Sequence, residues 1–466
     1  MTELVAVARV GVERHARSAA LAALGGLAAV VVGAAVARHS AVHEVIASLI
    51  VLNVVGLAVR SPRLGVVVTL GFLPFLALTR RLLISYDGWH RTDALLLVAP
   101  LVAVVSLALG TSAQPRTALS KCVLGLLAWT ALSTLNPLGG SLRANVVGLL
   151  FVGAPLLWFF VGRDIVDAAT MKKVLTVQLV TSVVVACYGL AQTSGSWTSW
   201  DRAWITTAGY QALHVGNTTR AFGTFSSSAE YTSFLAVGIA VAFALFMHRR
   251  PYAIVIVPFL AAASFLDGSR GIIVLAIGAV LLQAGLRTRR TALAVAVVAI
   301  GIGAAVVGLH TYAPIFAARA ASTGNPLVER QVTGLTHPLD TTSSTLPAHW
   351  SLFLNGFRGA LARPLGLGPG ATSLAASRFG GTTNATEVDL SNELAGLGIP
   401  GGLLFGAIVL LAWRRALRLY KLRADVVALA AAGVLFVLLG QWLNGGYYAI
   451  APFVWLVIGW LEREAA

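Results

Sequence analysis

The chain is built from long hydrocarbon blocks separated by short polar joints. Apolar runs of roughly 16 to 20 residues recur along it, each long enough as a helix to cross about 30 Å of bilayer interior. They fall at 18–37, 41–59, 64–79, 94–110, 121–137, 145–162, 174–193, 231–247, 252–266, 271–286, 291–309, 397–413, 425–442 and 446–461. Membrane β-strands would give short segments of alternating polarity instead. The pattern therefore predicts an all-α fold, a polytopic transmembrane helical bundle of about 12 to 14 helices. One stretch breaks the pattern. From His310 to Gly396 the chain turns polar and mixed, and within it Ser343 to Ala362 shows helical spacing. Pro347 stands near the start, Trp350, Phe353, Leu354, Phe357 and Leu361 share one face, and His349, Asn355 and Arg358 share the other. That spacing predicts an amphipathic helix along the membrane surface.

The joints carry the orientation. Arg60/Arg63, Arg116/Lys121, Arg163/Lys172/Lys173, Arg249/Arg250, Arg287/Arg289/Arg290 and the run from Arg414 to Arg423 fall in alternate loops. The excess of basic residues on cytoplasmic loops then places both termini in the cytoplasm. The segments Arg80 to Asp93, Ser194 to Glu230 and His310 to Gly396 are expected outside it. The run 18–37 follows Arg9, Arg14 and Arg17 but exceeds the usual length of a signal-peptide core, so it reads as a retained first helix of a multi-pass protein of the cytoplasmic (inner) membrane. The expected division is a cytoplasmic N-terminus (1–17), a helical bundle (18–309), one large extracytoplasmic loop with short amphipathic helices (310–396), C-terminal transmembrane helices (397–461) and a short cytoplasmic tail (462–466).

Composition sharpens the picture by exclusion. With 57% hydrophobic and 11% charged residues the chain is no soluble globular protein, and its formal net charge of +16 is explained by topology rather than by nucleic acid. Cys122 and Cys187 both sit in apolar runs, which gives neither a disulfide framework nor a metal spacing. The scattered histidines offer no ligand set, no Gly-x-Ser-x-Gly or phosphate-cradling Gly-x-x-x-x-Gly-Lys sequence occurs, and no metal or cofactor is expected.

Acid–base chemistry beside arginines remains. Every lysine (Lys121, Lys172, Lys173, Lys421) is cytoplasmic in this topology, whereas the outward side holds arginines. An arginine-rich composition accounts for that bias, and so does bidentate guanidinium binding of a phosphate-bearing lipid. Candidates are Arg80, Arg81, Arg220, Arg358 and Arg270, the last in Phe265-Leu266-Asp267-Gly268-Ser269-Arg270-Gly271, where Asp267 offers it a simple partner. For a base the chain offers the cluster Glu387, Asp389 and Glu393. Thr386 with Asp389 resembles a capping box, which would set Glu387 in a first helical turn where the dipole favours its ionised form. His349 competes for the same role because histidine titrates near neutrality.

Four motifs in order carry a resemblance: Arg220-Ala221-Phe222-Gly223-Thr224-Phe225 ahead of a helix, Gly268-Ser269-Arg270-Gly271 between two helices, a large loop containing Pro364-Leu365-Gly366-Leu367-Gly368-Pro369-Gly370, and a short acidic helix running into Gly398-Ile399-Pro400-Gly401. Together, over residues 215 to 415, they resemble the O-antigen ligase and polysaccharide polymerase superfamily. The resemblance implies an integral membrane glycosyltransferase, metal-independent and inverting, that moves a glycan from a polyprenyl-diphosphate-linked donor to an acceptor sugar hydroxyl. It implies Arg220 and Arg270 as diphosphate ligands and the large loop as the source of the base. The ligase branch carries His-Asn about eleven residues before the glycine matching Gly398. This chain has Glu387-Val388 there, closer to exopolysaccharide polymerases. Expected partners are the lipid-linked donor, a glycan acceptor, membrane lipid and other envelope-synthesis proteins. A transporter or flippase for lipid-linked sugars, or a non-catalytic assembly partner, are the alternatives.

Overall fold

The computed structural model describes residues 42–88, 93–110, 117–139, 141–208, 214–215, 217–288, 290–341, 346–381, 383–384, 386, 388–438, 441–443 and 447–465. The expected first helix at 18–37 lies outside them. Among the described residues the chain is all-helical but for one two-residue β pair, His214–Val215 against Thr218–Thr219. In chain order the helices are α1 (Val42–Arg60), α2 (Pro62–Asp87), α3 (Val98–Leu109), α4 (Ala118–Ser133), α5 (Leu142–Asp164), α6 (Ala168–Thr193), α7 (Ser199–Ala208), α8 (Ser228–Met247), α9 (Ala253–Asp267), α10 (Arg270–Leu286) and α11 (Thr291–Thr311). They continue with α12 (Ala313–Ser322), α13 (Pro326–Thr336), α14 (Leu346–Ala362), α15 (Leu374–Phe379), α16 (Asp389–Arg423), α17 (Val426–Val437) and α18 (Ile450–Ala465).

Seven of these (α1, α2, α5, α6, α8, α11 and α16) are long and apolar enough to cross a membrane. Shorter apolar helices pack among them, so the chain is a multi-pass helical membrane protein. Helix α8 is the hub, with 78% of its apolar window buried against α6, α9, α10 and α17, whereas α11 at the rim has 6% buried and presents its hydrocarbon outward. In lipid such interfaces depend on close packing rather than on water exclusion. Accordingly α5 and α18 meet through glycines: a Cβ at Gly162 would fall on the Leu456 carbonyl, and one at Gly459 on the Phe159 carbonyl.

A single polar side chain ties the hub together. Gln283 of α10 is fully buried and donates to the carbonyls of Ala240 on α8 (2.9 Å) and Leu429 on α17 (3.0 Å). Interhelical hydrogen bonds in membranes contribute about 0.6 to 1.7 kcal/mol. Gln283→Leu is therefore expected to lower unfolding stability by about 1 kcal/mol, measured by thermal unfolding in detergent, with the bundle intact.

Among the boundaries that differ from the sequence expectation, those of two helices bear on the site. Helix α2 does not end near residue 79 but runs to Asp87, so Arg80 and Arg81 stand on helix rather than in a loop. Likewise no helix begins at 397. Helix α16 starts at Asp389 and is broken at Gly398, whose φ of 69° and ψ of −164° lie where only glycine is comfortable. The capping box is also absent: Val388 is the N-cap, and the Thr386 N–H and hydroxyl both donate to Asn392 Oδ1 (2.7 and 3.0 Å).

The break is strapped by the glycine turn that precedes it in sequence. Leu367 and Gly368 donate their N–H groups to the carbonyls of Ala395 (3.1 Å) and Gly396 (2.7 Å), and Ile399 N–H returns a bond to Pro364 O (2.8 Å). Trp129 of α4 caps the Leu397 carbonyl (2.8 Å), and Asn136 holds Gly366 O (3.0 Å). Backbone groups freed inside a membrane must find new partners, and here they do. Helix α14 lies against α16 at Gly356, where Ser391 donates to the Phe353 carbonyl (2.7 Å). Its residues Trp350, Phe357 and Leu361 are exposed, as are His349, Asn355 and Arg358 on the other face.

Candidate functional site

The polar centre forms where the 220–227 loop meets the α9–α10 turn. Gly268 gives that turn its left-handed residue (φ 88°) and lets α10 start at once with Arg270. Asp267, the last residue of α9, is fully buried. Arg220 reaches it twice, through Nε to the Asp267 carbonyl (3.0 Å) and Nη2 to Oδ2 (3.0 Å), and its Nη2 also donates to Ser269 Oγ (2.6 Å). The Ser269 hydroxyl in turn donates a hydrogen bond to Asp267 Oδ2 (2.8 Å). An isolated buried carboxylate is costly, so the guanidinium and hydroxyl are what permit Asp267 to be there. The tip of the Arg270 guanidinium, its Nη1, rests against α13 at Gly334 in the room that a Cβ would occupy.

A third cation joins this pair. Arg330 of α13, exposed at its surface, sits one helical turn before Gly334, and partial loss of hydration together with the charge of Arg220 lowers its pKa. Sequence reasoning passed over Arg330. The missed signal was in α13 itself, whose buried positions Leu327, Gln331 and Gly334 recur at helical spacing with a glutamine where an apolar residue would be expected. Arg220, Arg270 and Arg330 thus converge on one junction together with the carboxylate of Asp267, and although Arg220 already spends Nε and Nη2 on Asp267 and Ser269, three guanidinium charges against one carboxylate leave the junction net positive and suited to an anion.

Arg81 and Arg80 stand elsewhere and are already engaged. Arg81, 1% exposed, donates to Asp201 Oδ1 (2.6 Å) and to the Gly223 carbonyl (2.8 Å) and stacks over Phe222 at 4.7 Å. Tyr188 (2.9 Å) and Gln192 (3.2 Å) complete the shell around Asp201, and Gln192 Oε1 accepts the Phe222 and Gly223 N–H groups (3.0 and 2.8 Å). Thr224 anchors the same loop on the Pro74 carbonyl of α2 (2.6 Å). Arg81, expected as a phosphate ligand, has Nη1 and Nη2 engaged in fixing the loop that presents Arg220, while its Nε has no hydrogen-bond partner. Arg80 is ion-paired to Asp93 and mostly buried, which leaves it the same kind of structural duty.

Glu387 lies outside the described residues. Asp389 is no exposed first-turn acid: it is 1% exposed, and its Oδ2 accepts the Leu443 N–H (2.6 Å), fastening α16 to the segment before α18. Glu393, one turn on, is buried too, and Glu230 at the start of α8 holds the Ala449 N–H (3.2 Å) in the same connection. His349 and Arg358 are exposed on α14. Of the five arginines singled out in the sequence, Arg220 and Arg270 are therefore brought together. A search of protein-family models and of curated proteins finds no match to this chain.

Proposed function

We propose that the chain is a membrane glycosyltransferase, polymerase-like or ligase-like, that transfers a glycan from a polyprenyl-diphosphate-linked donor to a sugar hydroxyl on the outer face of the cytoplasmic membrane. The convergence of Arg220, Arg270 and Arg330 at the edge of an apolar bundle is the observation that carries this reading. A lipid-linked diphosphate is an anion delivered within the membrane, and preorganised guanidinium groups stabilise it most as its charge grows on departure. The acceptor hydroxyl attacks the anomeric carbon and gives its proton to the base, Glu387 or His349. The glycosidic C–O bond breaks and the diphosphate departs with the electron pair. One displacement inverts the anomeric configuration.

The break in α16 at Gly398 favours a second reading, a carrier of lipid-linked sugars, because transporters bind cargo at discontinuous helices. The groups freed at this break are, however, taken up by Leu367, Gly368 and Trp129. Purified protein incubated with a lipid-linked oligosaccharide and a free glycan acceptor separates the two. Released polyprenyl diphosphate with a lengthened, anomerically inverted glycan is the expected result. Bound donor without release would replace the transferase by the carrier, and a retained configuration would overturn the single-displacement mechanism.

A further inference from the structure

Helix α13 has a buried face that does not look structural. Leu327, Gln331 and Gly334 recur at i, i+4 and i+7, so they line one side of the helix. The two ends of that line are fixed by contact: Leu327 lies over Gly268, and Gly334 lies beneath the Arg270 guanidinium. Gln331 between them therefore faces the Asp267–Arg270 turn. Its side chain is fully buried, and neither its amide nitrogen nor its carbonyl oxygen has a hydrogen-bond partner. Asp267 Oδ1 in that turn is equally buried and unbonded, as is Ser264 Oγ one turn earlier on α9. Orphaned polar atoms cost free energy when sealed from water, and a cluster of them marks a place meant for something with donors and acceptors of its own.

We propose that α13 is the substrate-reading wall of the arginine site, with Arg330 as a third phosphate ligand and Gln331 as a hydrogen-bonding partner of the hydroxylated group attached to that phosphate. This rests on the transferase reading and adds to it the part of the donor that is recognised. Arg330 lies one turn from Gly334 and so beside Arg270, while the positive charge of Arg220 also reaches it. Among the described residues it makes no ion pair, which leaves its fork for a ligand. A carboxamide that both donates and accepts is suited to a sugar hydroxyl or acylamino group and not to the phosphate alone.

The test uses the full-length protein in nanodiscs and two probes, a short-chain prenyl diphosphate and the same prenyl diphosphate bearing one hexose. Binding of each is measured by calorimetry, with thermal unfolding followed in parallel. Arg330→Gln is expected to weaken both probes about tenfold, the loss of about 1.4 kcal/mol. Gln331→Met is expected to bind the plain diphosphate as the parent does, to lose its preference for the hexose-bearing probe, and to unfold at a temperature no lower than the parent's. Gln331→Asn, which keeps the amide, guards against a packing artefact and should retain part of the preference. Unchanged binding of both probes in Arg330→Gln and in Gln331→Met, with Arg270→Lys still impaired, would overturn the role of α13 and leave the transferase reading standing. A Gln331→Met protein that merely melts earlier, with its preference intact, would make Gln331 structural and overturn its assignment. Failure of the unaltered protein to bind either probe would overturn both.

Discussion

Arg220→Ala is expected to remove activity and to lower unfolding stability by about 3 to 5 kcal/mol, the usual effect of leaving a buried charge without its partner. The Asp267 carboxylate, fully enclosed, would keep only the Ser269 hydroxyl. The double variant Arg220→Ala/Asp267→Asn removes the orphaned charge, because an amide oxygen still accepts from Ser269. It is expected to recover most of the melting temperature and none of the transfer. Arg220→Lys separates the roles in another way, keeping charge against Asp267 while losing the fork, so stability should fall little and turnover about a hundredfold or more, on the scale of a lost transition-state donor. Melting curves and donor consumption measured on the same preparations check all three. If the double variant regained activity together with stability, Arg220 would be a structural partner of Asp267 and no ligand.

The larger effect on folding is expected at Gly398. Any side chain there meets two obstacles, the backbone conformation (φ 69°, ψ −164°) and the Pro364 carbonyl lying against the space a Cβ would fill. Conformations of this kind are confined to glycine, and the second obstacle is backbone that cannot turn aside. Gly398→Ala is expected to cost about 4 kcal/mol or more, the range in which marginal proteins fail to accumulate. Gly406→Ala in the same helix is the control, since nothing lies within 4 Å of a Cβ there. It should be neutral or slightly stabilising through helix propensity. Size-exclusion profiles of the two tagged variants at equal expression distinguish them, and a monodisperse Gly398→Ala peak at parental yield would contradict the strapped-break description.

The helices were legible because hydrocarbon runs of membrane length have one outcome, and the described runs fell near where the hydropathy put them, apart from the far end of α2 and both ends of α16. Partners across the bundle were not legible. Arg81 read as a ligand because its partner Asp201 is 120 residues away in sequence and belongs to the short helix α7, which carries no hydropathy signal. Asp389 read as a candidate base, and nothing local announces that the connection around Leu443 closes over it. The pairing of Arg220 with the Asp267–Arg270 turn, by contrast, was foreshadowed by two short motifs, each odd for an apolar chain. Arg330 left only a faint mark, a glutamine in the apolar register of α13.

The strap across the break in α16 has a consequence for how such a chain can drift over evolutionary time. Its bonds run from main chain to main chain, so Leu367, Pro364, Ala395 and Ile399 contribute groups that every residue, or every residue but proline for the donors, possesses. The glycines are pinned by shape: a Cβ at Gly366 would fall on the Gly396 carbonyl, and one at Gly398 on that of Pro364. Descent within this architecture would therefore leave its trace in two Gly-x-Gly pairs at a fixed interval. The lettering of the surrounding helices, where one aliphatic residue replaces another at small cost, would blur first.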